Sequence, residues 1–246
     1  MHAGRPLFHG VEKRDRSDNL VATFNLTKGQ SFRIKKDIQL VHSGLVWESP
    51  EDGGPAFDLD VHCFALIHPD GDRTRSRLYN FGSHALCYAF VRGPGNLDGS
   101  LNKRPDGSFE TDDGSMWHQR DDRTGRGVVE ADDDGDGGHH DEGFREEFKI
   151  VLAKLPPDVV ELAVWGTIHD ADKKRQDFGG VKNAYIEVCD MADVELCRYQ
   201  LTQEFAGKTT IHVASFLKQS DGSWEFQAVG AATSEGLGEV IEGYLR

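Results

Sequence analysis

The stretch FDLDVHCFALIH, residues 57–68, decides how this chain folds. Phe57, Leu59, Val61, Cys63 and Ala65 recur at every second position, whereas an amphipathic helix needs spacings of three and four. Successive strand side chains point to opposite faces, so these five share one face and Asp58, Asp60 and His62 share the other. The prediction is a strand with an apolar side and, on its reverse, two carboxylates about 7 Å apart. Like charges at that spacing raise each other's pKa unless a cation or hydrogen-bond donors compensate them. Either that face is simply wet, as in half-exposed sheets, or something positive sits on it.

The same period continues outward. SFRIK (31–35) and IQLVHSGLVW (38–47) precede the stretch, and FKIVLAKL (148–155) and VVELAVWGTI (159–168) follow it. AYIEVCD and VELCRYQL read as a hairpin about DMAD (190–193), and TIHVASFL and SWEFQAVG as another about QSDG (219–222). Leu237, Val240, Ile241, Tyr244 and Leu245 fit a short amphipathic helix, which Gly236, Gly238 and Gly243 weaken. Together these elements predict an all-β chain: a β-sandwich of antiparallel strands with long acidic loops and a short C-terminal helix. The 246 residues suffice for one domain over 27–246. Residues 1–26 mix charges of both signs and read as an arm that is extended or poorly ordered unless it docks. The tract 92–115, rich in Gly, Pro and Asp and without periodicity, reads as an insertion.

A net charge of −14 argues against a nucleic-acid partner, because a phosphate backbone needs a basic stripe. The acid is concentrated: between Glu110 and Glu147 there are 14 carboxylates and four arginines. No run approaches the ~20 apolar residues of a membrane helix, and MHAGRPLFHG has no apolar export core, so the expected location is cytoplasmic. Cys63, Cys87, Cys189 and Cys197 show no CxxC spacing and read as buried thiols rather than bridges or zinc ligands.

The densest acid is DDDGDGGHHDE, residues 132–142. Asp132, Asp134 and Asp136 with Gly137 open like an EF-hand loop, but position twelve is Gly143, Glu142 falls one short, and no amphipathic helix precedes. Two readings remain, a solvated acidic loop and a set of hard oxygen ligands suited to Ca²⁺. His139 and His140 are candidates for an incidental transition metal.

AFDLDVHCF, DDRTG, DGDGGHHDE, TIHDADKKRQDFGGVKNAYIEV, LCRYQL and WEFQAVG follow one another as the motifs of the TerD family of bacterial tellurite-resistance and stress-response proteins do, and the resemblance spans about residues 27–232. It implies a β-sandwich that holds Ca²⁺ between the DLD strand and the acidic loop, a cytoplasmic stress role, and no established enzymatic activity. Carried over, the ligands are Asp58 and Asp60, then Asp121 and Asp122, then Asp134 and Asp136 with Asp132 as competitor, then Asp141 and Glu142. The chain departs from the family pattern at Arg120, which replaces a glycine, in the spacer RGVVEADD, and in the longer loop before Met116.

Three functions follow. In the first, Ca²⁺ orders the acidic loop, which presents a surface to another stress protein or to a membrane-associated complex. In the second, a metal-dependent hydrolase of phosphoesters or nucleotides uses His169 beside the same acids. His169 and Asp170 equally fit a tight turn in which Asp170 accepts backbone N–H groups while Gln176, Phe178 and Asn183 fix the crossover. In the third, a lectin-like or scaffolding sandwich stacks its ligand on Trp117.

Overall fold

A computed structural model describes residues 11–14, 20–48, 56–92, 101–119, 146–201 and 203–246. Its strands are β1 (Val11–Arg14), β2 (Leu20–Leu26), β3 (Ser31–Ile34), β4 (Leu40–Glu48), β5 (Leu59–Ile67), β6 (Arg77–Leu78), β7 (Ala85–Leu86), β8 (Asn102–Lys103), β9 (Phe109–Glu110), β10 (Met116–His118), β11 (Glu146–Val151), β12 (Glu161–Ile168), β13 (Lys182–Cys189), β14 (Glu195–Gln200), β15 (Thr210–Lys218) and β16 (Trp224–Thr233). Two helices are described, α1 (Ala171–Lys174) and α2 (Leu237–Leu245).

One sheet runs β1-β2-β14-β13-β4-β11-β10-β9-β8, and the other runs β3-β16-β15-β12-β5-β6 with β7 also on β5. Strand pairs are antiparallel except β2 with β14. This is the expected all-β sandwich. The inward residues of β5, Leu59, Val61, Cys63 and Ala65, are at most 1% exposed, and Leu162 and Val164 of β12 join them. Leu45, Trp47, Phe148, Ile150 and Ile186 of the facing sheet complete the core. Trp47 Nε1 donates to the Phe57 carbonyl at 3.2 Å, tying the chain entering β5 to β4 across the sandwich. All four cysteines are free and buried.

The outer face of the second sheet is covered around β5. Residues 69–92 and α2 lie near β5, where Leu78 pairs with Leu66 and Leu86 with Cys63. Phe64 and Leu66 are at most 1% exposed there, and Tyr244 of α2 sits 5.9 Å from the Phe64 ring. His62 is buried too, its Nε2 3.0 Å from Thr167 Oγ1, and burial pushes its pKa down to about 3. The helix forms as its spacing predicts, with Val240 and Ile241 buried, but Leu245 is exposed at its end.

The arm docks in part: β2 adds to the first sheet with Phe24 opposite Cys197. The 92–115 tract contributes β8 and β9, and Leu101, Phe109 and Met116 carry this margin into the core. Strands of two residues are too short to show a period.

Gly230 of β16 faces Tyr199 of the other sheet, and its φ is +59°. A Cβ there would fall within van der Waals contact of Tyr199 Oη on β14. Gly230→Ala therefore combines a left-handed alanine with an overlap and should lower the urea unfolding free energy by about 2 kcal/mol. Tyr199→Phe in the same chain should restore part of that loss.

Candidate functional site

The two carboxylates foreseen on β5 lie at its beginning. Asp58 immediately precedes the strand and is 6% exposed, and its carbonyl accepts the His169 N–H at 2.8 Å. Asp60 pairs across the sheet with Thr167 of β12, so the turn leaving β12 closes beside both. In that turn Asp170 adopts a left-handed conformation, φ +53°, followed by α1 and a second left-handed residue, Arg175.

The turn brings cations. Lys174 Nζ lies 3.2 Å from Asp58 Oδ2 and Lys173 Nζ 2.8 Å from Asp170 Oδ1. The Lys173 hydrogen bond lowers the Asp170 pKa. The Asp170 side chain thus accepts from a lysine, not from backbone N–H groups as the tight-turn reading had it. His169 is exposed, its Nδ1 4.0 Å from Asp60 Oδ2 and its Nε2 3.8 Å from Asp170 Oδ2. Gln176 donates to the Ala56 carbonyl at 3.3 Å, and buried Phe178 donates its N–H to Lys208, so the crossover is fastened as expected. Asn183 is left-handed at φ +50° where the β13 register with β4 shifts.

Asp58 Oδ1 is buried and accepts no hydrogen bond among the described residues. An orphaned buried acceptor costs about 1–3 kcal/mol. A hard cation with oxygen ligands fits such an atom, whereas the Lys174 ammonium reaches the other oxygen. Among the described residues no three His, Cys, Asp or Glu side chains are arranged to hold an ion. Asp121, Asp122, Asp132, Asp134, Asp136, Asp141 and Glu142, with His139 and His140, lie outside the described residues.

The stem of that acidic segment is described. Its ends are β10 and β11, paired with His118 opposite Phe148. His118 and Glu146 point inward, 4% and 1% exposed. His118 Nε2 lies 2.9 Å from the carbonyl of Val61, the residue after Asp60, and Nδ1 lies 2.7 Å from the Gln119 carbonyl. Carbonyl oxygens only accept, so this geometry needs a proton on each ring nitrogen, and Glu146, 3.5 Å from Nε2, supplies the countercharge. Neither residue, nor Lys174, is among the site residues expected from sequence; a histidine and a glutamate bracketing the acidic run were the available signal. Trp117, the expected sugar platform, carries the Lys149 ammonium 5.1 Å over its ring.

The fold and this corner define an all-β sandwich with a carboxylate-bearing strand end beside the two strands that flank an acidic segment. The chain belongs to the TerD family: residues 106–244 match the TerD domain. It is 30% identical over 224 residues to Tellurium resistance protein TerD of Alcaligenes sp, covering 89% of this chain and 96% of that one. To General stress protein 16U of Bacillus subtilis (strain 168) it is 29% identical over 227 residues, 90% of this chain and 97% of that one. The crystal structure of SCO6318 from Streptomyces coelicolor A3(2), a homologue of telluride resistance protein (TerD), shares the fold at a TM-score of 0.53 and 23% identity, over 84% of this chain and 98% of that one. Asp58 and Asp60 precede the matched 106–244 span.

Removing one member of a buried ion pair strands the other. Glu146→Gln should cost about 3 kcal/mol in urea unfolding, and His118→Leu added to it should recover part of the loss.

Proposed function

We propose that this chain is a calcium-binding protein of the stress response, acting in the cytoplasm by binding rather than by catalysis. Asp58 and Asp60 hold one side of the ion. Carboxylates of the acidic segment hold the other: Asp121, Asp122, Asp134, Asp136, Asp141 and Glu142. The observation that carries the reading is the buried, unbonded Oδ1 of Asp58 at the corner where His118 fastens the acidic stem beside Asp60. A bound dication supplies charge neutralisation, and the chain's own residues do the rest. The strand fixes two ligands on a rigid sheet, the inward His118–Glu146 pair holds the loop's two ends together, and the neutralised loop offers a surface to a protein partner. The relatives' names, tellurium resistance and general stress, support the stress role.

Calcium should raise the melting temperature, with ~2.7 kcal/mol of added stability at one hundred times Kd. Asp58→Asn with Asp60→Asn should abolish that rise. Lys174→Met removes the competing ammonium and should tighten calcium binding about fivefold, taking about 1 kcal/mol for a partly buried pair in which the lysine side chain is 31% exposed. Calorimetry that finds no heat with calcium, and no thermal shift, overturns the reading.

A further inference from the structure

Toward the far end of the same strands, α2 roofs an open cavity of about 720 Å³ on the outer face of the second sheet, a volume typical of small-molecule sites. One wall is aromatic. Trp165 stacks on His212 with centroids 4.6 Å apart, and Tyr244 of the helix meets the Trp165 ring edge-on at 6.4 Å. Burial pushes the His212 pKa down to about 4, so at neutral pH this wall is uncharged.

The hydrogen-bond inventory of the cavity is lopsided. Glu161, 2% exposed, has both oxygens committed: Oε1 accepts from Arg73 Nη2 at 2.7 Å and Ser215 Oγ at 2.6 Å, while Oε2 takes Arg73 Nε at 3.2 Å and lies 2.7 Å from His68 Nε2. Arg73 also bonds Ser215 through Nη2 and the Gln227 Oε1 through Nη1, which uses four of its five N–H groups and leaves one on Nη1. Gln227 accepts Arg73 at one lone pair of Oε1 and has two amide hydrogens to offer. Tyr244 accepts the Trp165 N–H at 3.2 Å, and burial raises its pKa to about 12, so its hydroxyl keeps a proton to donate. The Lys28 ammonium, mostly exposed, stands at the mouth, 3.9 Å from Glu204. The remaining carboxylates that border the cavity, Glu235 and Glu239, are exposed on its rim. The interior therefore offers donors and an apolar wall, with its one buried carboxylate already spent.

We propose that this cavity binds a small ring-bearing organic oxyanion, its flat body against Trp165 and Tyr244 and its carboxylate or phosphate on Arg73, Gln227 and Lys28. The donors match oxygen lone pairs; Arg73, neutralised by Glu161, contributes its remaining N–H, and Lys28, loosely paired at 3.9 Å with Glu204, contributes the charge that favours an anion over a neutral ring.

The test is calorimetry on the full chain with four probes: benzoate, phenyl phosphate, phenol and inorganic phosphate. Benzoate or phenyl phosphate should bind at about millimolar Kd or tighter, as ligands of this size allow, and at least tenfold tighter than phenol or inorganic phosphate. Whichever of the two anions binds tighter identifies the head group. Gly243 borders the cavity on α2, and a Cβ there meets nothing within 4 Å. Gly243→Leu should thus fill the space without loss of urea stability and weaken the bound anion tenfold or more. Lys28→Ala should weaken the anions and leave phenol unchanged. The proposal is overturned if none of the probes binds at 10 mM, a concentration about tenfold above the expected Kd, if phenol binds as well as the anions, or if Gly243→Leu leaves affinity unchanged.

Discussion

The antiparallel pairing of β5 with β12 governs where this protein can carry charge. With Val61 opposite Gly166 and Asp60 opposite Thr167, the register places the odd-numbered residues of β5 in the sandwich and the even-numbered ones on the outer face. A slip of one residue would drive Asp60 and His62 into the core. Because residues 69–92 and α2 also cover the outer face, β5 is buried on both sides along most of its length. Carboxylates are tolerable only at its first turn of pleat, where the chain emerges, and there Asp58 and Asp60 stand.

The same covering explains why the polar groups on the outer face come as closed networks. His62 with Thr167, and Glu161 with Arg73, His68 and Ser215, each satisfy one another where water has been excluded. Glu161 is desolvated by burial, yet the Arg73 and Ser215 bonds outweigh that penalty and its pKa falls. A committed carboxylate of this kind is structural. The groups around it, whose donors are only partly used, are what a ligand meets.

The strand assignments were legible because long strands display their period. β5 buries Leu59, Val61, Cys63 and Ala65 and β16 buries Trp224, Phe226 and Ala228 at alternate positions, and that demand wrote itself into the sequence. What covers a sheet leaves no such mark: nothing in FDLDVHCFALIH tells that Phe64 and Leu66 meet further layers rather than water. The site was legible by half. Two acids at alternate positions announced Asp58 and Asp60, but Lys174 reaches Asp58 over 116 positions of sequence and His118 reaches Val61 over 57. No local pattern encodes such distances; they arise from the turn after β12 and from the facing of the sheets.

Charge balance at this corner separates the roles of strand and loop. Two like charges about 7 Å apart repel by about 2 kcal/mol at an effective dielectric of 20. The turn after β12 answers this locally, with Lys174 beside Asp58 and Lys173 beside Asp170. The strand end is accordingly neutralised only in part, with the second oxygen of Asp58 still unbonded among the described residues. The acidic segment, residues 120–145, carries nine carboxylates against four arginines in its sequence. A lysine delivers one charge through one short-range contact and reaches a single oxygen of Asp58. A dication answers several carboxylates at once, and it can do so only where loop and strand oxygens share one ion. In the proposed calcium site the demand for the ion thus comes from the acidic segment, and the strand contributes the rigid half.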